Sequence, residues 1–319
     1  MKQEVQIYFA PFQSITTPTF HNIYSQYFKG VDKMFTPFFS NIKAGEKLSL
    51  KDIKALKNQK ENNIEVVPQI LSKDADEIIW FAQNCQQMGF KELNWNLGCP
   101  YPQVANKKSG SGLLQYPNLV NDILQKVSAE IKIPFSIKCR LGYESKNEFD
   151  ELIPIFNHYP IKEITIHART GKQMYGGEIN REYFADIVSQ INSPIIYNGD
   201  IFSLDDFIKF QNHFPYVNSL MLGRGILKNP FLPAKIKGLD LPVDLKPHLK
   251  LFIDNLYYAY RKEKNNQLSL LSALKEYWTY LANAFDEPNR VYRKLKKCKS
   301  FDAYEDAVNA VFEEYNLTV

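Results

Sequence analysis

Cysteine is scarce in this chain and shows no pairing pattern. Cys85, Cys99, Cys139 and Cys298 are the only four in 319 residues, with no Cys-x-x-Cys and no framework spacing. That argues against a disulfide scaffold and against zinc, and it points to a reducing compartment. No run of about 18 apolar residues occurs, so no segment reads as a membrane-spanning helix. Met1-Lys2-Gln3-Glu4-Val5-Gln6 lacks the apolar core of a secretory leader, and the expected location is the cytoplasm. No Gly-x-Gly-x-x-Gly follows the first apolar run, which weakens an open dinucleotide-binding sheet. Neither sign of charge dominates. The net charge of +4 permits a nucleic-acid partner without demanding one. Solenoid repeats and low-complexity segments are also missing.

What is present is an ordinary globular composition, 45% hydrophobic and 23% charged, in a chain long enough for one large domain and a small one. Eight short apolar runs follow one another: Ile7–Ala10, Met34–Phe35, Glu65–Leu71, Leu93–Leu97, Phe135–Leu141, Glu163–Ala168, Pro194–Asp200 and Ser219–Gly225. Helical patterns lie between most of them. One starts at Thr17-Pro18, a cap followed by a proline at the first helical position. Another starts at Ser72 or Asp74 and runs to about Met88, with Gly89 as its stop. Others span Pro117–Glu130, Glu148–His158, Arg181–Gln190 and Leu204–His213; residues 40–63 are polar and read as a loop with some helix. Eight strands alternating with helices predict a (β/α)8 barrel. Gly238, Pro242 and Pro247 punctuate the chain near residue 240, and everything beyond reads helical. The expected division is a barrel over residues 1–240 and a small helical domain over 245–319.

In such a barrel, function sits at the C-terminal ends of the strands. Those ends carry Pro11, Gln69, Cys99, Lys138, His167, Asn198 and Arg224. Each has a bland explanation. Cys99 could be a small buried hydrophobe, Lys138 a snorkelling lysine, and His167 a core histidine satisfied by a carbonyl. Chance would not readily gather them at one end. Asn198-Gly199-Asp200 and Gly223-Arg224-Gly225 end the last two runs, where barrels frequently hold a phosphate.

The sequence resembles the tRNA-dihydrouridine synthase family. The matching segments, in order, are Ala10-Pro11-Phe12, Val67-Pro68-Gln69, Asn96-Leu97-Gly98-Cys99-Pro100, Lys107 with Ser109-Gly110-Ser111-Gly112, and Ile137 to Gly142. They continue with His167-Ala168-Arg169-Thr170 through Gln173 and Tyr175, Asn198 to Ile201, and Met221 to Gly225. The tail from Lys275 to Leu281 most resembles the bacterial synthase C subgroup, which implies reduction of uridine 16 in the D-loop. The resemblance implies FMN, held by Pro11, Phe12, Gln13, Gln69, Lys138, His167, Asn198, Gly199, Asp200, Gly223 and Arg224. It implies NADPH as reductant, hydride transfer to C6 of uracil, and protonation of C5 by Cys99. A thiol of pKa about 8.5 stays protonated at neutral pH and can act as that acid. Asn96, Lys138, His167 and Arg169 can reach the polar edge of the base and stabilise the developing enolate. The basic run supplies Arg293, Lys294, Lys296 and Lys297 as phosphate contacts, with tRNA as the partner. The alternative for that run is a solvated helix face balanced by Glu305 and Asp306. A monomer without metal is expected.

Two rivals remain at this level. A flavin barrel acting on a free pyrimidine would need no basic helical tail. A non-enzymatic RNA-binding protein on a retired barrel would not need Cys99, Lys138, His167 and Arg169 together.

Overall fold

The structure is a computed structural model and describes residues 4–59, 62–263 and 267–319. Two sequence expectations therefore fall partly outside the described residues: the leader reading at Met1 to Gln3, and the polar stretch at Lys60 and Glu61. The strands are β1 (Gln6–Phe9), β2 (Lys33–Phe35), β3 (Glu65–Val67), β4 (Gln69–Ile70), β5 (Leu93–Leu97), β6 (Phe135–Arg140), β7 (Ile164–His167), β8 (Ile195–Asn198) and β9 (Ser219–Leu222). All pairings between them are parallel, in the order β3-β2-β1-β9-β8-β7-β6-β5-β4.

Nine strands appear where eight runs were expected because Pro68 divides the third run. Proline has no N–H to give a ladder. Before it, Val67 pairs with Phe35 on β2. After it, Gln69 pairs with Asn94 on β5, and the Asn94 N–H donates to the Pro68 carbonyl. One bent run thus joins both ends of the sheet and closes the barrel.

The helices begin where their caps require. Thr17 accepts from the Phe20 N–H to start Pro18–Tyr27, and Asp74 accepts from Asp76 and Glu77 to start Ala75–Gln87. Gly89, at φ +81°, lets the chain turn back after that second helix. The stretch expected as one helix over Glu148–His158 is instead a 3-10 turn, Lys146–Phe149, followed by Leu152–His158.

Side chains alternate across each strand. On β5, Leu93, Trp95 and Leu97 point out and are buried under helices, while Asn94 and Asn96 point in. On β6, Cys139 belongs to the outer apolar core and Lys138 to the interior, as the alternation requires. Part of the interior is apolar, with Tyr8, Ala10, Phe35, Val67, Ile196 and Met221 packed together. The floor is charged. Lys33 lies 3.0 Å from Glu92 and 2.8 Å from Glu163, Lys162 lies 2.5 Å from Glu92, and the Tyr8 hydroxyl donates to Glu163 at 3.1 Å. Burial alone would push the Lys33 pKa down, but Glu92 and Glu163 hold it above the ordinary lysine value.

Gly238, at φ +65°, ends the helix Leu232–Lys237. Helices Leu245–Lys262, Gln267–Leu281, Pro288–Lys296 and Phe301–Glu314 follow. They share one apolar core with the barrel, chiefly through aromatic rings. Phe252 meets Phe20 at 5.9 Å and Phe28 at 4.9 Å, and Tyr277 meets Phe20 at 5.4 Å. Edge-to-face pairs of this kind add about 0.5–1.5 kcal/mol each beyond the area they bury.

Candidate active site

Cys99 stands two residues past Leu97, just beyond the end of β5. Its backbone is held from three sides. Asn96 Oδ1 accepts from the Gly98 N–H at 3.0 Å and the Cys99 N–H at 2.9 Å. The Cys99 carbonyl accepts from the Ser111 N–H and hydroxyl, both at 3.0 Å. Arg140 Nε donates to the Gly98 carbonyl at 3.0 Å, and its Nη1 donates to Thr170 and Met174 carbonyls. Gly110 explains part of its motif, because a Cβ there would lie 2.6 Å from the Cys99 oxygen, at φ +56°. Cys99 is 8% exposed. Burial pushes its pKa up, while the Tyr101 N–H and the charges of Arg140 and Lys138 pull the other way and reduce the rise. The thiol is therefore protonated at neutral pH, with cations beside it that would stabilise a thiolate once formed.

Lys138 is one residue beyond Ile137 on β6 and donates to Asn198 Oδ1 at 3.1 Å; Asn198 in turn donates to the Met221 carbonyl at 2.7 Å. Burial, with the Arg140 charge second, lowers the Lys138 pKa to about 8. His167 is lowered well below its ordinary value by burial first and then by Arg140, Lys138, Arg169 and Arg224, so its ring is neutral. Arg224 pairs with Asp200 at 2.5 Å and lies between the Tyr175 and Phe202 rings, at 5.2 and 5.3 Å. Burial would raise the Asp200 pKa, but Arg169 and Arg224 hold it below the ordinary carboxylate value.

These groups face one cavity of about 390 Å³ at the C-terminal ends of the strands. It is lined by Pro11, Phe12, Gln13, Gln69, Asn96, Cys99, Lys138, His167, Asn198, Gly199, Asp200, Gly223 and Arg224, all named from the sequence. Arg169 is not on the cavity wall. Its guanidinium is spent on Asp200 and on the Gly176 and Gly177 carbonyls, so it braces Asp200 from behind. Arg293, Lys294, Lys296 and Lys297 lie away from the cavity, on Pro288–Lys296 and at its end. Arg293, Lys296 and Lys297 are exposed. Lys294 is ion-paired to Glu314 at 2.7 Å, so the counter-charge for this run is Glu314 rather than Glu305 or Asp306.

Several lining residues were not singled out as site residues: Arg140, Tyr101, Tyr175, Phe202, Glu276 and Tyr280. Arg140 had a signal, since it sits two residues after Lys138 and must share its face. Glu276 and Tyr280 stand in the Lys275–Leu281 stretch that carries the subgroup resemblance, but nothing local marks them as cavity residues, because they reach it from the helix Gln267–Leu281. There Tyr280 packs edge-on against Phe12 at 5.6 Å and Glu276 accepts from the Ser14 hydroxyl at 2.6 Å. Among the described residues no cluster of three or more His, Cys, Asp or Glu could hold a metal ion, and no helix is long and apolar enough to cross a membrane.

Barrel and cavity together define the class: a (β/α)8-barrel enzyme with a cation-rich pocket and a protonated thiol in its wall. The pattern of the dihydrouridine synthase (Dus) family matches residues 8–316. The chain is 32% identical to tRNA-dihydrouridine synthase B of Pasteurella multocida (strain Pm70) over 91% of its length and 87% of that protein's. It is 26% identical to the tRNA-dihydrouridine(16) synthase of Neisseria meningitidis serogroup B, over 99% and 97%. In fold it is similar to a morphinone reductase, with a TM-score of 0.52 at 9% identity, over 73% of this chain and 86% of that one. The chain belongs to the dihydrouridine synthase family and is a flavin-dependent oxidoreductase that forms dihydrouridine in tRNA.

Proposed function

We propose that this chain reduces uridine 16 of tRNA, using FMN as its flavin and NADPH as reductant, with Cys99 as the proton donor. The observation that carries the reading is the gathering of Cys99, Lys138, His167 and Arg224 around one cavity. The cavity fits a flavin mononucleotide in size and charge. Lys138, Arg140 and Arg224 line it against only two carboxylates, Asp200 and Glu276. Asp200 is already neutralised by its arginines, which leaves cationic donors for a phosphate and for ring carbonyls. Gly223 keeps the wall open, because a Cβ there would press on the Phe12 ring at 3.1 Å.

Pro11 to Gln13, Gln69, Lys138, His167, Asn198 to Asp200, Gly223 and Arg224 hold the flavin in this reading. When bound and reduced by NADPH, FMN supplies the hydride that reaches C6 of the uracil. Asn96 and Lys138 present N–H donors toward the base, where charge gathers on a carbonyl oxygen as C6 is reduced. Cys99 Sγ then gives its proton to C5, and the thiolate left behind is stabilised by Arg140 and Lys138 until solvent reprotonates it. Arg169 acts through Asp200, holding it and Arg224 in place. The reaction runs in the cytoplasm, where the four unpaired, buried thiols stay reduced.

A uridine in folded RNA must leave its stack to enter a barrel mouth. The helices after Leu245 grip the RNA body, with Arg293, Lys294, Lys296 and Lys297 on phosphates. The alignment to the uridine-16 synthase covers 99% of this chain and that to synthase B 91%, so position 16 rests on the resemblance carried by Lys275 to Leu281 and not on coverage. Changing Arg293, Lys296 and Lys297 to alanine should weaken tRNA binding and reduce the slope of log affinity against log salt by up to about 0.9 per lost contact. NADPH-driven flavin reduction should be untouched. An unchanged slope would return these residues to an ordinary solvated face.

Flavin binding should depend on pH through Lys138. With a pKa of about 8 before a ligand enters, it is charged below that pH and neutral above. An anionic ligand favours the charged form, so FMN affinity should be flat below pH 8 and fall above it. Fluorescence titrations across pH 7 to about 9.5 would show this, and Lys138→Met should abolish the trend. The reading as a whole is tested by mapping dihydrouridine in tRNA from cells lacking this protein. Loss at position 16 alone is expected, and loss at another position with 16 retained would overturn the assignment.

A further inference from the structure

The barrel interior is asymmetric. Beside its apolar part, β4, β5 and β6 carry Gln69, Asn94, Asn96 and Ser136 inward, all buried. Barrels normally fill these layers with branched apolar residues. Here the polar side chains form one unbroken chain of hydrogen bonds. Ser136 Oγ donates to Glu92 Oε1 at 2.5 Å, and Asn94 Nδ2 donates to Ser136 Oγ at 2.9 Å. Gln69 Nε2 donates to Asn94 Oδ1 at 2.8 Å, and Asn96 Nδ2 donates to Gln69 Oε1 at 2.6 Å. The chain ends where Asn96 Oδ1 accepts from the Gly98 and Cys99 N–H groups.

Every donor in it points the same way, from mouth to floor. An amide can normally be turned over, but both ends of this chain are fixed. The floor end is a carboxylate, which only accepts, and the mouth end is two backbone N–H groups, which only donate. Glu92 is held as that acceptor by Lys33 and Lys162. With both ends in agreement, a single arrangement of the three amides satisfies all the bonds. It also leaves the second hydrogen of each NH2 on Gln69 and Asn96, two residues of the cavity wall, free for a cavity ligand.

We propose that Glu92, acting through Ser136 and Asn94, is a positioning residue for the reaction: it fixes the polarity of Gln69 and Asn96 and, through Asn96 Oδ1, the seat of Cys99. This rests on the reading of the cavity given above. It makes the charged floor part of the active-site apparatus and not only of the fold. Polar chains of this kind are strengthened when complete and loosened when one member is lost.

The test is the rate at which iodoacetamide alkylates Cys99 in the flavin-loaded protein, read by peptide mass spectrometry. Ser136→Ala removes one hydroxyl from the chain and leaves Glu92 paired with both lysines. Cys99 alkylation should then rise about fivefold, the effect of one lost buried hydrogen bond. Ser136→Thr, which restores a hydroxyl, should return the rate to that of the unaltered protein. Glu92→Gln, which can donate as well as accept and so frees the direction, should raise it too. Cys85 and Cys139, both fully buried, should stay unlabelled throughout. An unchanged Cys99 rate in Ser136→Ala and Glu92→Gln overturns the proposal. So does a rise shared by Cys85 and Cys139, or a Ser136→Thr rate equal to that of Ser136→Ala, since either assigns the effect to packing. Oxidation of the reduced variants by tRNA separates the two readings. Faster alkylation with slower oxidation is the result expected. Faster alkylation with undiminished oxidation would leave the chain as the seat of the thiol alone, overturning its part in the reaction and the reading of Cys99 as the acid together. Unchanged alkylation, by contrast, overturns the chain and leaves that reading standing.

Discussion

Cys99→Ala is expected to fold, to bind flavin and to be reduced by NADPH, yet to pass its electrons to tRNA about 10²–10⁴-fold more slowly, the usual worth of a positioned general acid. Folding should survive because the Cys99 backbone, not its sulfur, makes the structural contacts. Asn96 and Ser111 hold its N–H and carbonyl. Flavin reduction should survive because hydride transfer onto the flavin needs no proton at this position. The remaining cysteines are controls of a different kind. Cys139 points away from the cavity into the outer core, with its sulfur on the Thr165 carbonyl at 3.7 Å. Its replacement should lower stability with little effect on turnover. Stopped-flow traces of flavin reoxidation on unmodified tRNA measure the step directly, and a rate for Cys99→Ala equal to that of the unaltered protein would remove Cys99 from the chemistry.

Lys33→Met is expected to cost about 3–5 kcal/mol of stability, because it strands charges that stay buried. Glu92 would keep Lys162, but Glu163 would be left with the Tyr8 hydroxyl alone. Methionine fills much the same volume, so the loss reads charge rather than packing. The midpoint of urea unfolding should drop with the slope unchanged. Lys43→Met is the contrast. Its ion pair with Glu46 is 72% and 64% exposed, and removing it should change stability by less than about 1 kcal/mol. The deficit of Lys33→Met should also depend on pH with a definite sign. Burial first and Glu92 second already raise the Glu163 pKa in the intact protein, and loss of Lys33 raises it further. A carboxyl whose pKa is raised by folding destabilises the native state where it must ionise and ceases to do so once protonated. The gap between variant and parent should thus be widest near neutrality and shrink as the pH falls toward the acid range. A gap independent of pH would mean that the floor carboxylates are not what the lysine neutralises.

Much of this could be read from the chain alone, for reasons that are local. Each strand ends at a residue that cannot continue it or at a turn, as at Pro11, Gly98-Cys99-Pro100 and Gly199. The period of two then places Asn96, Lys138 and His167 inside. Where the reading stopped, the missing information was long-range. Pro68 looked like an ordinary feature of one strand, yet it is the hinge by which one run pairs with both β2 and β5. Arg169 stands in the family motif, but Asp200, 31 residues away, takes its guanidinium off the cavity wall. Lys33, Glu92 and Glu163 lie at the beginnings of strands, where charged residues usually face solvent. Only closure of the barrel brings them together. Glu276 and Tyr280 enter the cavity from a helix more than 260 residues from Phe12 and Ser14, a pairing no local pattern encodes.

The account is tested most directly by giving the purified protein NADPH and either unmodified tRNA or free uridine, and analysing the nucleosides formed. Dihydrouridine at position 16 of the tRNA, with free uridine untouched, is the result the account predicts. Turnover of the free pyrimidine with no dihydrouridine in tRNA would contradict it.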